Sequence, residues 1–128
     1  MHCELRSAER VLFEGEAYMV VAHSQEGEFA IMEGHAPLIA ALDDAPLRIK
    51  AKESEHTFAV LKGVLRVSED GVAILAQDAV PKEEIDLESL TRRRDEIKRE
   101  LSGAENKEHL VDELRALRAQ EKIKKGDG

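Results

Sequence analysis

The periodicity of apolar residues changes at Pro81, and that change constrains the fold more than any other feature of the chain. Before it, apolar residues come in short runs: Val11–Phe13, Tyr18–Ala22, Phe29–Met32, Leu38–Leu42, Phe58–Leu61, Val64–Val67 and Val72–Ala76. Turn formers separate these runs, as expected of strands. Ser24-Gln25-Glu26-Gly27 and Asp43-Asp44-Ala45-Pro46 are two such turns, and Pro46 sets φ for a new strand. Glu53-Ser54-Glu55-His56 reads as a polar hairpin tip, and Asp70-Gly71 as a two-residue type I′ turn. Gly63 breaks the stretch from Phe58 to Val67, where a bulge or bend is expected. Short strands at this spacing predict an antiparallel sandwich or barrel with an aliphatic core.

After Pro81 the apolar residues recur at helical steps. Leu87, Leu90, Ile97 and Leu101, with the stem of Arg94, form one stripe at steps of 3, 4, 3 and 4. Asp86 is placed to cap this helix, and Ser102-Gly103 to stop it. Asn106 is a cap for a second helix carrying Leu110, Leu114 and Leu117, flanked by Val111 and Ala116. Two amphipathic helices with a short break between them predict an antiparallel hairpin. The organisation is therefore a β domain over residues 1–81 and a helical hairpin over 82–128. The apolar stripes are narrow, so docking on the β domain should be weak, a few kcal/mol at about 25 cal/mol per Å². Weakly held elements serve as movable parts, although a hairpin that simply stays docked is equally compatible with the pattern.

Charge divides at the same place. Residues 1–81 hold 7 basic and 14 acidic side chains, and residues 82–128 hold 12 and 13, within an overall −8. A net acidic chain of 128 residues with 3% aromatics lacks the basic face and stacking platforms that nucleic acid requires. The one cysteine, Cys3, forms no intramolecular disulfide, which suits a reducing compartment. No run approaches the roughly 18 apolar residues of a membrane span, so membrane association is expected only through a partner. No secretory or import signal is visible at the N-terminus.

Catalytic and metal motifs are absent: there is no Gly-rich phosphate loop, HExxH or CxxC, and the five histidines lack ligand spacing. The one dense polar knot inside the apolar part is Glu33-Gly34-His35-Ala36-Pro37. Glu33 and His35 would make an acid/base pair for a small hydrolase, but no nucleophile or oxyanion donor accompanies them. The alternative is that Gly34 and Pro37 shape a tight turn within which His35 hydrogen-bonds.

The run Gly27-Glu28-Phe29-Ala30-Ile31-Met32-Glu33-Gly34-His35-Ala36-Pro37-Leu38 resembles the "GE-x-G-I-x-x-GHAPL" signature of the F-type ATP synthase epsilon subunit. Ser7-Ala8-Glu9 and Phe13-Glu14-Gly15 resemble that subunit's opening, and Leu47-Arg48-Ile49 its next strand. Leu61-Lys62-Gly63-Val64-Leu65-Arg66-Val67 resembles its "L-x-G-G-x-L-E-V" strand pair, and Val72–Ala76 its last strand. The match covers residues 5–101 in one order.

The resemblance implies a ten-stranded sandwich followed by a two-helix hairpin. It implies a non-catalytic rotor subunit of the central stalk that couples proton-driven rotation of the c-ring to the catalytic head through the gamma subunit. Glu26, Gly27 and Glu28 are then expected to face the c-ring, and Glu33, Gly34, His35, Ala36, Pro37 and Leu38 to lie near gamma. The hairpin is expected to fold down on the sandwich or to extend into the head, transiently meeting the alpha and beta subunits and blocking ATP hydrolysis. Its regulatory residues would be Asp86, Arg92, Arg93 and Arg94 in the first helix and the basic cluster Arg115, Arg118, Lys122, Lys124 and Lys125 in the second. Lys and Arg at that end also complement the helix dipole.

One departure stands out. Some bacterial members of that family sense ATP through an "I-D-x-x-R-A" motif, and the matching stretch here reads Ile85-Asp86-Leu87-Glu88-Ser89-Leu90. Ser89 and Leu90 replace the Arg and Ala, removing a bidentate phosphate donor. Arg92, Arg93 and Arg94 lie a turn later, where they could compensate but more simply form a solvated face, so ATP binding is expected to be weak or absent. No metal or other cofactor is expected, and the resemblance places the protein peripherally at the cytoplasmic face of the bacterial inner membrane. The competing reading is a stand-alone β-sandwich adaptor with a helical interaction tail.

Overall fold

A computed structural model of the chain describes residues 1–101 and 108–124. Ser102, Gly103, Asn106 and Lys125, given roles above, lie outside the described residues. Eight strands come first: β1 (His2–Ser7), β2 (Val11–Glu16), β3 (Met19–Ser24), β4 (Gly27–Met32), β5 (Leu38–Ala41), β6 (Ala45–Lys50), β7 (Glu55–Ser68) and β8 (Gly71–Pro81). A 3₁₀ turn (Lys82–Glu84) leads into α1 (Leu87–Leu101) and α2 (Glu108–Lys124).

The strands hydrogen-bond as one continuous sheet in the order β2-β1-β8-β7-β6-β3-β4, with β5 added to β7. It folds over itself because β7 and β8 are long enough to serve two layers. Val64–Val67 of β7 pairs with β5, while Glu55–Val60 pairs with β6. One layer is therefore β5, the C-terminal half of β7, the start of β8, β1 and β2. The other is the end of β8, the N-terminal half of β7, β6, β3 and β4. Ten strand segments are carried by eight strands, which reconciles the expected ten with the observed count. The pairing is antiparallel except between β1 and β8, which run parallel, a departure from the all-antiparallel expectation. β1 itself was not evident as a strand, since its Cys3 and Leu5 alternate with His2, Glu4 and Arg6 without forming an apolar run.

Between the layers lie Leu5, Val20, Ile31, Leu47, Ile49, Phe58, Leu65 and Ile74, all essentially inaccessible to solvent. Cys3 shares this core, and burial pushes its thiol up to about 12 from an ordinary 9.0, so it is inert at neutral pH.

The kink that lets β7 change layers sits at Lys62-Gly63. Lys62 is the one non-glycine residue with positive φ (52°) among the described residues, a conformation that costs a side-chain-bearing residue about 1 kcal/mol. Gly63 follows because a Cβ there would come within 2.9 Å of Val60 Cγ1. The pairing with β8 keeps its register across the kink, so this is a bend rather than a bulge with an extra residue.

The β7–β8 hairpin forms where Asp70-Gly71 signalled it, but the turn differs. Glu69 and Asp70 are its central residues, and the positive φ (127°) belongs to Gly71. A side chain at Gly71 would run into the His2 carbonyl, which explains glycine there better than a type I′ turn does.

Candidate functional site

The β4–β5 knot is a tight turn. The His35 N–H donates to the Met32 carbonyl at 3.1 Å, and Gly34 takes φ 86° at the third position, where a type II turn requires it. His35 Nδ1 lies 2.7 Å from the Ala36 carbonyl oxygen, so that nitrogen donates within the turn. Among the described residues no hydrogen bond or ion pair joins Glu33 to His35. The geometry is that of a shaped, exposed loop rather than an acid/base pair.

Glu26, Gly27 and Glu28 occupy the other end of β4. The Glu26 N–H donates to Ser24 Oγ at 3.2 Å, and Gly27 has φ 121° at the close of the β3–β4 turn. Glu28 faces His23 Nε2 at 3.2 Å and Arg48 Nη2 at 3.6 Å. β4 and β5 are free edges of opposite layers. The chain between them doubles back, so His35, Leu38 and Ala40 face Glu26–Ala30 across a shallow cleft of about 410 Å³. Two segments that are separate in sequence thus line one groove.

A second surface escaped sequence reasoning. On the outer side of the first layer, Ile39 is 74% exposed, Leu75 57% and Val64 47%. The register puts Val64 opposite Leu75, in a row with Ala41 and Arg6, and Ile39 opposite Arg66 in the next row of the same face. The available signal was parity. In Val64–Val67 and Val72–Ala76 apolar residues occupy both odd and even positions, so both sheet faces are apolar. Phe58–Leu61 carries the same signal with a different outcome. Phe58 and Val60 point into the core, while Ala59 points outward and is covered by the hairpin with Ile85, Leu90 and Ile123.

Asp86 caps α1. Its Oδ1 accepts from the Glu88 N–H at 3.0 Å, and Ser89 Oγ donates to Oδ2 at 2.8 Å. These bonds, the Ser89 hydroxyl first, hold the carboxyl below its ordinary range. Ser89 thus uses the position of the missing arginine to close a bond back onto the cap. Leu90, at the missing alanine, is buried against Ala59 and Ile123.

Arg93 and Arg94 do not form the solvated face expected of them. Arg93 makes a fork with Glu113 of α2, Nε to Oε1 at 2.6 Å and Nη2 to Oε2 at 2.9 Å. The carboxylates of Glu113, Glu96 and Glu100 around it raise its already high pKa. Arg94 Nη1 reaches Glu121 Oε2 at 2.8 Å, in surroundings where the two side chains are only 27% and 13% exposed. Arg92 alone of the three is exposed, its Nη2 3.5 Å from Ser89 Oγ. Helical steps cannot show this, because the carboxylates arrive from a second helix. Behind the pairs, Ile97 packs on Leu110 and Leu114.

In α2, Arg115 Nε meets Asp44 Oδ2 at 3.0 Å, and Lys124 Nζ donates to the Lys82 carbonyl at 3.3 Å. Arg118 and Lys122 are exposed beside them and line an open cleft against Asp43 and Asp44. Ile123, buried in the docking cluster, was not picked out from sequence. His2, Glu4 and Glu14 bring possible metal-ligand atoms within 4.8 Å of one another, but Glu4 is paired with Arg6 at 3.6 Å. No helix among the described residues is long and apolar enough to cross a membrane.

Comparison with known proteins bears on the fold and the family. Residues 1–82 match the family described as "ATP synthase, Delta/Epsilon chain, beta-sandwich domain". The chain is 37% identical over 101 residues to an ATP synthase epsilon chain of Rubrobacter xylanophilus, covering 79% of this chain and 69% of that one. It is 32% identical to an ATP synthase epsilon chain of Stenotrophomonas maltophilia, over 98% and 95% of the two chains. Its fold resembles a chain in the cryo-EM structure of Euglena gracilis mitochondrial ATP synthase with a TM-score of 0.73. That likeness has 22% identity and covers 98% of this chain and 80% of the other. Sandwich, signature turn and full-length relatives converge: the chain belongs to the ATP synthase epsilon-chain family.

Proposed function

We propose that this protein is a non-catalytic central-stalk subunit that couples c-ring rotation to the catalytic head through gamma, and that its hairpin is a conformational inhibitor of ATP hydrolysis. The observation that carries the reading is the unequal attachment of the two parts. A sandwich knit by one continuous sheet suits torque transfer, which needs a rigid body with a large complementary contact. The uncovered strip of Ile39, Val64 and Leu75, flanked by Arg6 and Arg66, supplies apolar area for a permanent partner and lies next to the segment from Glu33 to Leu38. We assign this side to gamma. The groove with Glu26, Gly27 and Glu28 carries acidic groups suited to basic c-ring loops. The hairpin is held by one small apolar cluster and ion pairs that are exposed on at least one side, as suits a releasable part.

In this reading the exposed cations Arg118 and Lys122, with Arg115 once released, meet acidic surfaces of the alpha and beta subunits. ATP is not a ligand, because Asp86 is engaged by Ser89 and the arginine is absent. The protein sits peripherally at the cytoplasmic face of the bacterial inner membrane, held by its partners.

The test is reconstitution of the complex with the full chain or with residues 86–128 removed. Both forms should co-purify with gamma and c-ring, and the truncated form should show raised ATP hydrolysis. Unchanged hydrolysis would remove the inhibitory role, and loss of co-purification would remove the coupling role. Titration calorimetry showing micromolar ATP binding would overturn the exclusion of ATP.

A further inference from the structure

The hairpin docks against the sandwich mainly through α2, which lies beside the Lys62 kink, and two charge pairs cross the seam. Asp44 does two things there. Its Oδ1 accepts from the Lys62 backbone N–H at 3.0 Å, and its Oδ2 pairs with Arg115 at 3.0 Å. The Lys62 side chain reaches α2 separately, with Nζ 3.7 Å from Asp112 Oδ2. Between the two pairs is a cleft of about 320 Å³, floored by Leu61, Gln77 and Asp78 and closed by Ala116.

We propose that Asp44 is the anchor of a charge latch that keeps the hairpin docked and can let it go without damage to the sandwich. The proposal rests on the reading of the hairpin as a movable element.

The chemistry separates a latch from permanent glue. Breaking a partly buried ion pair normally strands one charge. Asp44, with its side chain 20% exposed, keeps its bond to the Lys62 N–H when Arg115 leaves, and that bond also holds the left-handed conformation of Lys62. Arg115 is 62% exposed even when docked, so its release returns it to water. Both halves of the latch are therefore satisfied whether closed or open. Inside the hairpin the situation is reversed. Arg94 Nε is buried without a hydrogen-bond partner, and Glu121 beside it is 13% exposed. The weaker boundary is the seam at Asp44.

Hydrogen exchange of the full chain tests this through a double-mutant cycle of Asp44→Asn, Arg115→Gln and both together. Asn retains an oxygen for the Lys62 N–H while losing the charge. Each single variant should speed exchange of α2 amides roughly two- to fivefold, as loss of one such pair predicts, with strand amides unchanged. The double variant should match the singles, because both remove the same interaction. High salt should speed exchange in the wild type and have less effect in the variants. If Asp44→Asn exchanges like the wild type, or the two effects simply add, the latch is overturned. If wild-type α2 amides exchange only together with strand amides, the movable-hairpin reading fails first.

Discussion

The sandwich and the hairpin use the same aliphatic vocabulary with opposite consequences. In the sandwich, one sheet folded on itself surrounds a single core, and the two long strands β7 and β8 belong to both layers, so neither layer can detach. In the hairpin, apolar contact is divided into two small clusters. One joins Ile97 to Leu110 and Leu114 between the helices, and the other joins Ile85, Leu90 and Ile123 to Ala59 of the sandwich. Charge supplies what area does not: the Arg93–Glu113 fork and the Arg94–Glu121 pair hold helix to helix, and Arg115–Asp44 holds helix to sandwich. A shared-strand core makes one indivisible body. Small clusters joined by ion pairs make an attachment of a weaker kind.

The largest expected effect comes from emptying each core in turn. Ile74 and Ile97 are equally buried, and loss of either side chain to alanine costs about 2–5 kcal/mol. Ile74→Ala should lower the melting temperature of the whole sandwich by at least about 8 °C by calorimetry. Ile97→Ala should instead remove helical circular dichroism while leaving the sandwich transition in place. Equal loss of the sandwich transition in both would erase the distinction between the two bodies.

Next in size is Arg94→Met. Deleting a charged hydrogen-bond partner from a largely enclosed pair costs about 1.5–3 kcal/mol. The loss should appear as hairpin melting at lower temperature, with strand amides still protected from exchange.

Cys3 sharpens the sandwich side. A thiol raised to about 12 from 9.0 favours the protonated, folded form. Its contribution is full below pH 9.0 and is lost as pH rises from 9.0 toward about 12. Alkaline denaturation curves should therefore fall more steeply for the wild type than for Cys3→Ala, and thiol reagents should label Cys3 only on unfolding. Rapid labelling of the folded protein at pH 8 would contradict its burial.

The smallest effect is at Asp86. Its lowered carboxyl pKa means the cap is intact above the ordinary value of 3.8 and weakens as pH falls through and below it. Asp86→Ala should loosen the first turn of α1 to amide exchange at neutral pH and remove that acid dependence. Ser89→Ala should reproduce part of the same change, since the Ser89 hydroxyl is the carboxylate's leading partner.

The sequence was most legible where the physics is local. The break at Pro81, the strand runs, the Asp86 cap and the turn formed by Glu33–Pro37 all depend on residues within a few positions of one another. Legibility failed where contacts came from elsewhere in the chain. Gly71 read as a type I′ residue because the His2 carbonyl beside it comes from the far N-terminal end of the chain. Arg93 and Arg94 read as solvated because Glu113 and Glu121 sit on another helix. Ile39, Val64 and Leu75 stood only as members of apolar strand runs, because apolar character does not say whether a face is covered.

By itself the sequence determined a β domain joined to a helical hairpin and, through the Gly27–Leu38 signature, membership of a family, because backbone periodicity and turn chemistry are short-range. Only the tertiary structure decided which apolar face is covered by the hairpin and which is left open. It alone decided that Asp44 faces both the Lys62 kink and Arg115. Those outcomes depend on segments far apart in the chain arriving at one place, and that is set by packing of the whole rather than by any local pattern.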